Sequence, residues 1–187
     1  MPRKSIEFDP FLAFVNARGF HIASSAIDND AIARPILKYI LFWPNLATEA
    51  LGLELHLKCL RAVRGNFEVG HDIEEQYGAL LPEDKAEIEE RLAHLISINP
   101  HYRDYKERGA YVDIQSILQR AKNMYTDARY WHEGKWPSMD SHGRIGNAGI
   151  GPLSDAIYEL LIRLHPDWPE RLRHFKINHY DDGQQPT

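Results

Sequence analysis

The sequence predicts an all-α fold, and three features of residue choice and pattern indicate it. The 187 residues include only four valines and three threonines, residue types that are enriched in strands, whereas leucine and alanine are frequent. No Asn-Gly or Asp-Gly pair lies between alternating apolar runs, which is the usual signature of a β-hairpin. Apolar residues instead recur at spacings of three and four, the period of a buried helix face.

Length and charge limit the organisation of the chain. A chain of 187 residues fits one domain, and we expect a single helical domain over 1–177, with its core over about 31–165 and a mobile tail over 178–187. Lysine plus arginine total 22 and aspartate plus glutamate total 27, which gives a net charge of −5. A mildly acidic chain is not a general binder of polyanions, so any nucleic-acid contact requires a local basic patch.

Capping and breaking residues place the first helices. Pro10 after an aspartate predicts a short helix that ends at Gly19, and residues 19–30 are interpreted as a connector. A second helix is predicted over Asp30–Trp43, and Pro44 is expected to break or sharply kink the chain there.

The central helix of the predicted bundle spans about residues 45–64. Its most regular seam has the spacing 4-3-4-3-4 and consists of Leu46, Ala50, Leu53, Leu57, Leu60 and Arg64. Further apolar residues flank this seam on both sides, and a helix that is apolar nearly all round belongs in the middle of a bundle. Gly65 supplies the residue that ends the helix in a left-handed conformation.

The remaining elements follow from the same signals. A long helix over about 112–133 is predicted to be the second main element of the bundle, and residues 134–152 are interpreted as a glycine-rich loop. Four other helices are predicted. One starts at His71-Asp72 and runs to about Leu80, and the others span Pro82–Ile96, Leu153–Leu164 and a short segment around Trp168 and Leu172.

Several classes of site and location are disfavoured by missing motifs. A single cysteine, Cys59, permits no internal disulfide and suits a reducing cytoplasm, and no apolar run approaches the ~18 residues of a membrane span. Zinc-type histidine pairs, di-iron motifs, a phosphate loop and a serine-nucleophile motif are all missing. We therefore expect no metal, no cofactor and no membrane association.

Arg64 and His71 are the leading candidates for chemistry. Arg64 ends an otherwise apolar seam, and His71 follows seven positions later, after a short loop. An arginine that holds phosphate and a histidine that moves a proton would suffice for metal-independent RNA cleavage. The structural alternative is that Arg64 extends to solvent at a helix end and His71 only starts the next helix.

Two further groups of residues are weighed. Arg129 and His132 lie one turn apart near the end of the long helix, beside aromatic residues that could stack a base, although an ordinary last helical turn explains them too. Glu49 and His56 share a flank of the central helix, where a structural hydrogen bond to a neighbouring helix is the favoured interpretation. The stretch 101–108 interleaves basic and aromatic residues that could follow a single strand by phosphate contacts and stacking, and a solvated loop explains it at least as well.

The stretch from Leu46 to Leu80 resembles the HEPN superfamily, the helical domains named for higher-eukaryotic and prokaryotic nucleotide binding. The matching features are the leucine-rich helix with Lys58, and Gly70-His71-Asp72-Ile73 at the start of the next helix. The segment Ala128–Glu133 is similar to the end of a later helix in such domains. The resemblance covers roughly residues 31–133.

The resemblance implies a helical bundle, pairing into homodimers, and binding of nucleotide or RNA, in a toxin or defence context. It implies Lys58, Arg129 and His132 as binding residues and Arg64 with His71 as the pair for a metal-independent endoribonuclease. Active members usually carry a polar residue after the arginine, where this chain has Gly65, so binding is placed ahead of catalysis. The alternatives are a non-catalytic protein–protein interaction module and a small-molecule pocket closed by the loop 134–152.

Overall fold

The computed structural model describes residues 8–34, 37–99, 113–130 and 149–175. These residues form helices and their connections with no strand among them, so the all-α prediction is confirmed. The helices are α1 (Pro10–Ala33), α2 (Leu37–Val63), α3 (Ile73–Gly78), α4 (Pro82–Ile98), α5 (Ile114–Tyr130), α6 (Ile150–Leu164) and α7 (Trp168–Arg173).

The first helix is much longer than its caps predicted. Asp9 caps it, since its Oδ1 accepts a hydrogen bond of 2.8 Å from the Phe11 amide, but Gly19 does not end it. The helix continues to Ala33, so the interpretation of residues 19–30 as a connector was wrong. A glycine costs an isolated helix only about 1 kcal/mol, and packing of α1 along α2 outweighs that cost.

The second helix runs through the proline that was expected to break it. Leu37–Val63 is one helix with Pro44 inside it, so the predicted boundary between Asp30–Trp43 and the central helix was wrong. Pro44 has no amide hydrogen, so the carbonyl four residues earlier loses its helical donor; one turn later the Thr48 hydroxyl donates a separate hydrogen bond of 2.6 Å to the Pro44 carbonyl. Helix α2 packs against α1 along its length, and this contact stabilises a helix that propensity alone would interrupt.

The predicted seam forms the centre of the core. Its five apolar members are at most 1% exposed, and α2 packs against α1, α3, α5 and α6. The central position predicted for this helix is therefore confirmed. Gly65 has a φ of +74° directly after the helix, as the left-handed stop requires.

The later elements agree with the sequence except at their ends. Helix α3 begins at Ile73, with Asp72 as its N-cap, and α5 occupies Ile114–Tyr130 of the long helix predicted over 112–133. Helix α6 begins at Ile150, three residues earlier than predicted, because Gly149 adopts a φ of +100° and starts it there. The rest of the predicted loop up to residue 148 and the tail 178–187 lie outside the described residues. In the described part of the chain, no helix has the length and apolar character that spanning a membrane requires.

Candidate functional site at the junction of α2, α3 and α5

The connection between α2 and α3 carries His71 and is held by hydrogen bonds from the buried side chain of Arg61. The Arg61 side chain is 4% exposed, and its Nη1 donates to Gln76 Oε1 at 2.8 Å while its Nη2 donates to the Asn66 carbonyl at 2.7 Å. These bonds join the end of α2, the connection and α3. The backbone that positions His71 is therefore held by a buried guanidinium.

Glu54 on α2 holds two of the predicted site residues through one oxygen. Glu54 Oε1 accepts a hydrogen bond of 2.5 Å from Lys58 Nζ, and it lies 2.9 Å from Nδ1 of His71. The Lys58 and Glu54 side chains are 10% and 12% exposed, whereas the His71 side chain is 83% exposed. A shielded ion pair thus carries an imidazole that faces solvent.

The start of α3 brings a third helix to the same place. Asp72 Oδ1 accepts hydrogen bonds from the Glu74 and Glu75 amides, so these first-turn amides already have a partner within the chain. The Lys122 ammonium on α5 lies 2.7 Å from Asp72 Oδ2 and 2.7 Å from Glu74 Oε2. The hydrogen bond with Lys122 lowers the pKa of Asp72. We call Glu54, Lys58, His71, Asp72 and Lys122 the junction site.

Arg64 is engaged elsewhere. Its Nε and Nη2 donate to the two carboxylate oxygens of Asp84 on α4, at 3.0 and 2.5 Å. Asp84 is 1% exposed, and this fork of hydrogen bonds raises the pKa of Arg64. The arginine therefore neutralises a buried carboxylate at the end of the bundle and ties α2 to α4.

The structure gives Arg64 and His71 different acidic partners. Glu54, which holds His71, precedes Arg64 by ten residues on α2 and its following turn, about 15 Å of helix rise. Lys58 and His71 do come together, through Glu54. Arg129 lies on the described backbone of α5, two turns after Lys122, and its side chain and all of His132 lie outside the description.

Two polar residues of α2 that the sequence singled out behave differently. Glu49 accepts a hydrogen bond of 3.1 Å from the Ser24 hydroxyl on α1, which agrees with the structural interpretation. His56 is 1% exposed, and neither ring nitrogen has a hydrogen-bond partner among the described residues. Burial is the main cause that lowers the pKa of His56 to about 3.

Sequence reasoning missed two members of the junction site. Glu54 stands four residues before Lys58, a spacing at which a carboxylate and an ammonium meet on a helix, so the sequence contained a signal for this pair. Lys122 lies 50 residues after Asp72 on a different helix, and no local pattern connects them. Long-range pairs of this kind require the tertiary fold.

The junction site is described by its geometry alone. Comparisons of the chain with models of protein families, with curated proteins and with solved structures find no match. The arrangement joins Lys58 on α2, Lys122 on α5 and the exposed imidazole of His71 on the connection before α3, each held by one or two carboxylates. It can position an imidazole nitrogen and offer an ammonium to a ligand.

Proposed function

We propose that this chain is an HEPN-like helical protein that binds nucleotide or RNA at the junction site. The observation that carries the proposal is the exposed His71 ring, which is fixed through one nitrogen by the shielded Lys58–Glu54 pair. Holding a solvent-facing imidazole in one orientation serves recognition, because a ligand then meets a pre-oriented polar atom.

The exposed cation that a phosphate group can contact at this site is Lys122. The Lys122 side chain is 42% exposed and pairs with two carboxylates that are also partly exposed. Exposed ion pairs of this kind contribute little to stability, so the Lys122 ammonium can turn to a phosphate at small cost in stability, and the phosphate then lies near the like charges of Asp72 and Glu74. Helix α5 continues from Lys122 towards Arg129, and we propose Arg129 and His132 as the residues that extend the binding surface.

The pairing of Arg64 favours binding over RNA cleavage. Cleavage without a metal requires a cation that is free to contact the phosphorane and stabilise its negative charge. Withdrawing Arg64 from Asp84 would leave a carboxylate that is 1% exposed without a counter-charge, which is strongly destabilising. The metal-independent endoribonuclease built on Arg64 and His71 is therefore the second proposal, and the same experiment tests it.

A protein–protein interaction module is the third candidate. One observation favours it: α4 carries three exposed glutamates that could attract a basic partner, and two of them, Glu83 and Glu90, are seven residues apart and share one helix face, whereas Glu89 lies on another. This candidate predicts that the chain does not bind nucleic acid. Pairing of the chain into a homodimer is a separate proposal, which sedimentation velocity measures directly.

The test is binding of labelled single-stranded RNA and of a nucleoside triphosphate in the presence of EDTA, followed by fluorescence anisotropy over a series of salt concentrations. We expect binding that survives EDTA and falls steeply with salt. We expect His71→Ala and Lys122→Ala each to weaken RNA binding about fivefold to tenfold, the equivalent of one lost polar contact. His94→Ala is the matched control, because His94 is an exposed histidine on α4, outside the junction site.

Two outcomes would overturn parts of the proposal. No binding of RNA or nucleotide by the wild-type chain at low salt contradicts the binding function and favours the interaction module. If the RNA is cut in EDTA, and both Arg64→Ala and His71→Ala prevent the cleavage while keeping the far-UV circular dichroism of the wild-type chain, the endoribonuclease proposal replaces binding alone. Intact RNA in all samples is the expected result.

A further inference from the structure

The identity of the atom that His71 offers to a ligand follows from its contact with Glu54. Glu54 Oε1 lies 2.9 Å from Nδ1 of His71 and also accepts the 2.5 Å hydrogen bond from Lys58 Nζ. Glu54 and Lys58 form an ion pair, and both side chains of the pair are nearly buried. A charged carboxylate only accepts hydrogen bonds.

The proton of a neutral His71 ring is therefore fixed on Nδ1. With that proton donated to Glu54, Nε2 carries a lone pair and acts as a hydrogen-bond acceptor. Free imidazole side chains in water favour the opposite tautomer, so the arrangement is imposed by the protein. The ring is 83% exposed, which leaves its accepting edge accessible to a ligand.

An accepting nitrogen selects among nucleic-acid groups. Phosphate oxygens accept hydrogen bonds and offer no proton at neutral pH, so they do not satisfy the lone pair of Nε2. The sugar-phosphate backbone of DNA has no hydrogen-bond donor within the chain, whereas each ribose of RNA has a 2′-hydroxyl that donates and accepts. The amino groups of the bases also donate, but RNA and DNA share them, so the donor that fits Nε2 of His71 and is found in RNA alone is the ribose hydroxyl.

We infer that Glu54 is a positioning residue that holds His71 as an acceptor for the ribose hydroxyl, so that the junction site prefers RNA to DNA. This inference rests on the proposed function, because it concerns the same site and its ligand. It assigns separate roles to the two kinds of polar group at the junction. Lys122 meets phosphate, which both nucleic acids share, and His71 distinguishes the sugar.

The first measurement concerns the ring itself and needs no ligand. The ¹⁵N chemical shifts of the histidine rings are recorded at about pH 8, above the range in which imidazoles ordinarily titrate, and the His71 signals are those lost in His71→Ala. We expect a protonated Nδ1 and an unprotonated Nε2 in the wild-type chain. A ring protonated on Nε2 overturns the inference.

The second measurement compares two labelled oligonucleotides of matched base sequence at about pH 8 in EDTA, one of RNA and one of deoxyuridine-containing DNA, which differ only in the 2′-hydroxyl. One hydrogen bond corresponds to about a fivefold preference for RNA in the wild-type chain. The variant Glu54→Leu with Lys58→Met removes both charges of the shielded pair and leaves no buried charge unpaired. We expect its RNA preference to fall to within about twofold, while His94→Ala keeps the wild-type ratio.

The outcomes separate this inference from the proposed function. Equal binding of RNA and DNA by the wild-type chain leaves the proposed function standing and overturns the inference. An RNA preference that persists in the double variant overturns the role of Glu54. No binding of either oligonucleotide overturns both.

Discussion

Burial of His56 makes the fold sensitive to acid, and the size of the effect follows from its surroundings. The ring is 1% exposed on α2, and it faces Arg18 and His21 on α1 and Tyr158 on α6. Asp155 on α6 lies beyond them, 3.7 Å from Arg18 Nη1 and 3.5 Å from His21 Nε2. Burial first, and then the two basic neighbours on α1, lower the pKa of His56 from 6.5 to about 3.

The sign of the pH dependence follows from this lowered pKa. The unfolded chain protonates His56 below a pKa of 6.5, whereas the folded chain keeps the ring neutral until about pH 3. Between these values the unfolded state binds more protons, so the free energy of unfolding falls as the pH falls. The loss reaches about 2 kcal/mol at about pH 5, and about 5 kcal/mol below the folded pKa.

The assay is urea unfolding followed by far-UV circular dichroism at about pH 5 and about pH 8, for the wild-type chain and for His56→Leu. We expect the wild-type chain to lose about 2 kcal/mol more than the variant between these conditions. Burial raises the pKa of Asp155, which contributes a dependence of opposite sign, but that contribution is present in both proteins. Equal losses in the two proteins would refute the reasoning from burial.

Four further substitutions test the backbone, the packing and a helix cap by urea unfolding. Gly149→Ala should lower the free energy of unfolding by more than about 2 kcal/mol, because Gly149 has a φ of +100° and a Cβ there would lie 2.5 Å from Ile117 Cδ1. Gly19→Ala should instead stabilise α1 by about 0.5–1 kcal/mol, because a Cβ at Gly19 meets nothing within 4 Å. Equal effects of the two substitutions would contradict these expectations. Leu57→Ala should cost about 3 kcal/mol because Leu57 is 0% exposed, and a cost below about 1 kcal/mol would place that seam outside the core. Asp72→Ala should cost about 1 kcal/mol through loss of the cap on α3, and no change in stability would argue against the cap.

The sequence was most informative where local periodicity and burial coincide. The seam through Leu53 and Leu57 was readable because spacings of three and four put its members on one helix face, and all of its apolar members are buried. The helix boundaries predicted at Gly19 and Pro44 were wrong because they rested on local signals alone. The effects of these two residues on an isolated helix are real, but long contacts between α1 and α2 outweigh them, and these contacts are not visible in local sequence.

The candidate site shows the same division. His71 and Lys58 could be predicted as site residues from a short motif. Their connection through Glu54 could not, because it depends on how the connection after α2 folds back towards that helix. The partner of Arg64 is Asp84, twenty residues later on α4, and the spacing from Arg64 to His71 carries no information about it. Short-range spacing indicates candidate residues, but the tertiary structure determines which charged side chains form ion pairs.

The most direct test of the account is a titration of single-stranded RNA into the ¹⁵N-labelled chain in EDTA, with the perturbed amide signals assigned to residues. We expect the largest shifts at Lys58, His71 and Lys122, and we expect them to diminish with added salt. Shifts confined to the outer face of α4, or no shifts at a large excess of RNA, would contradict it.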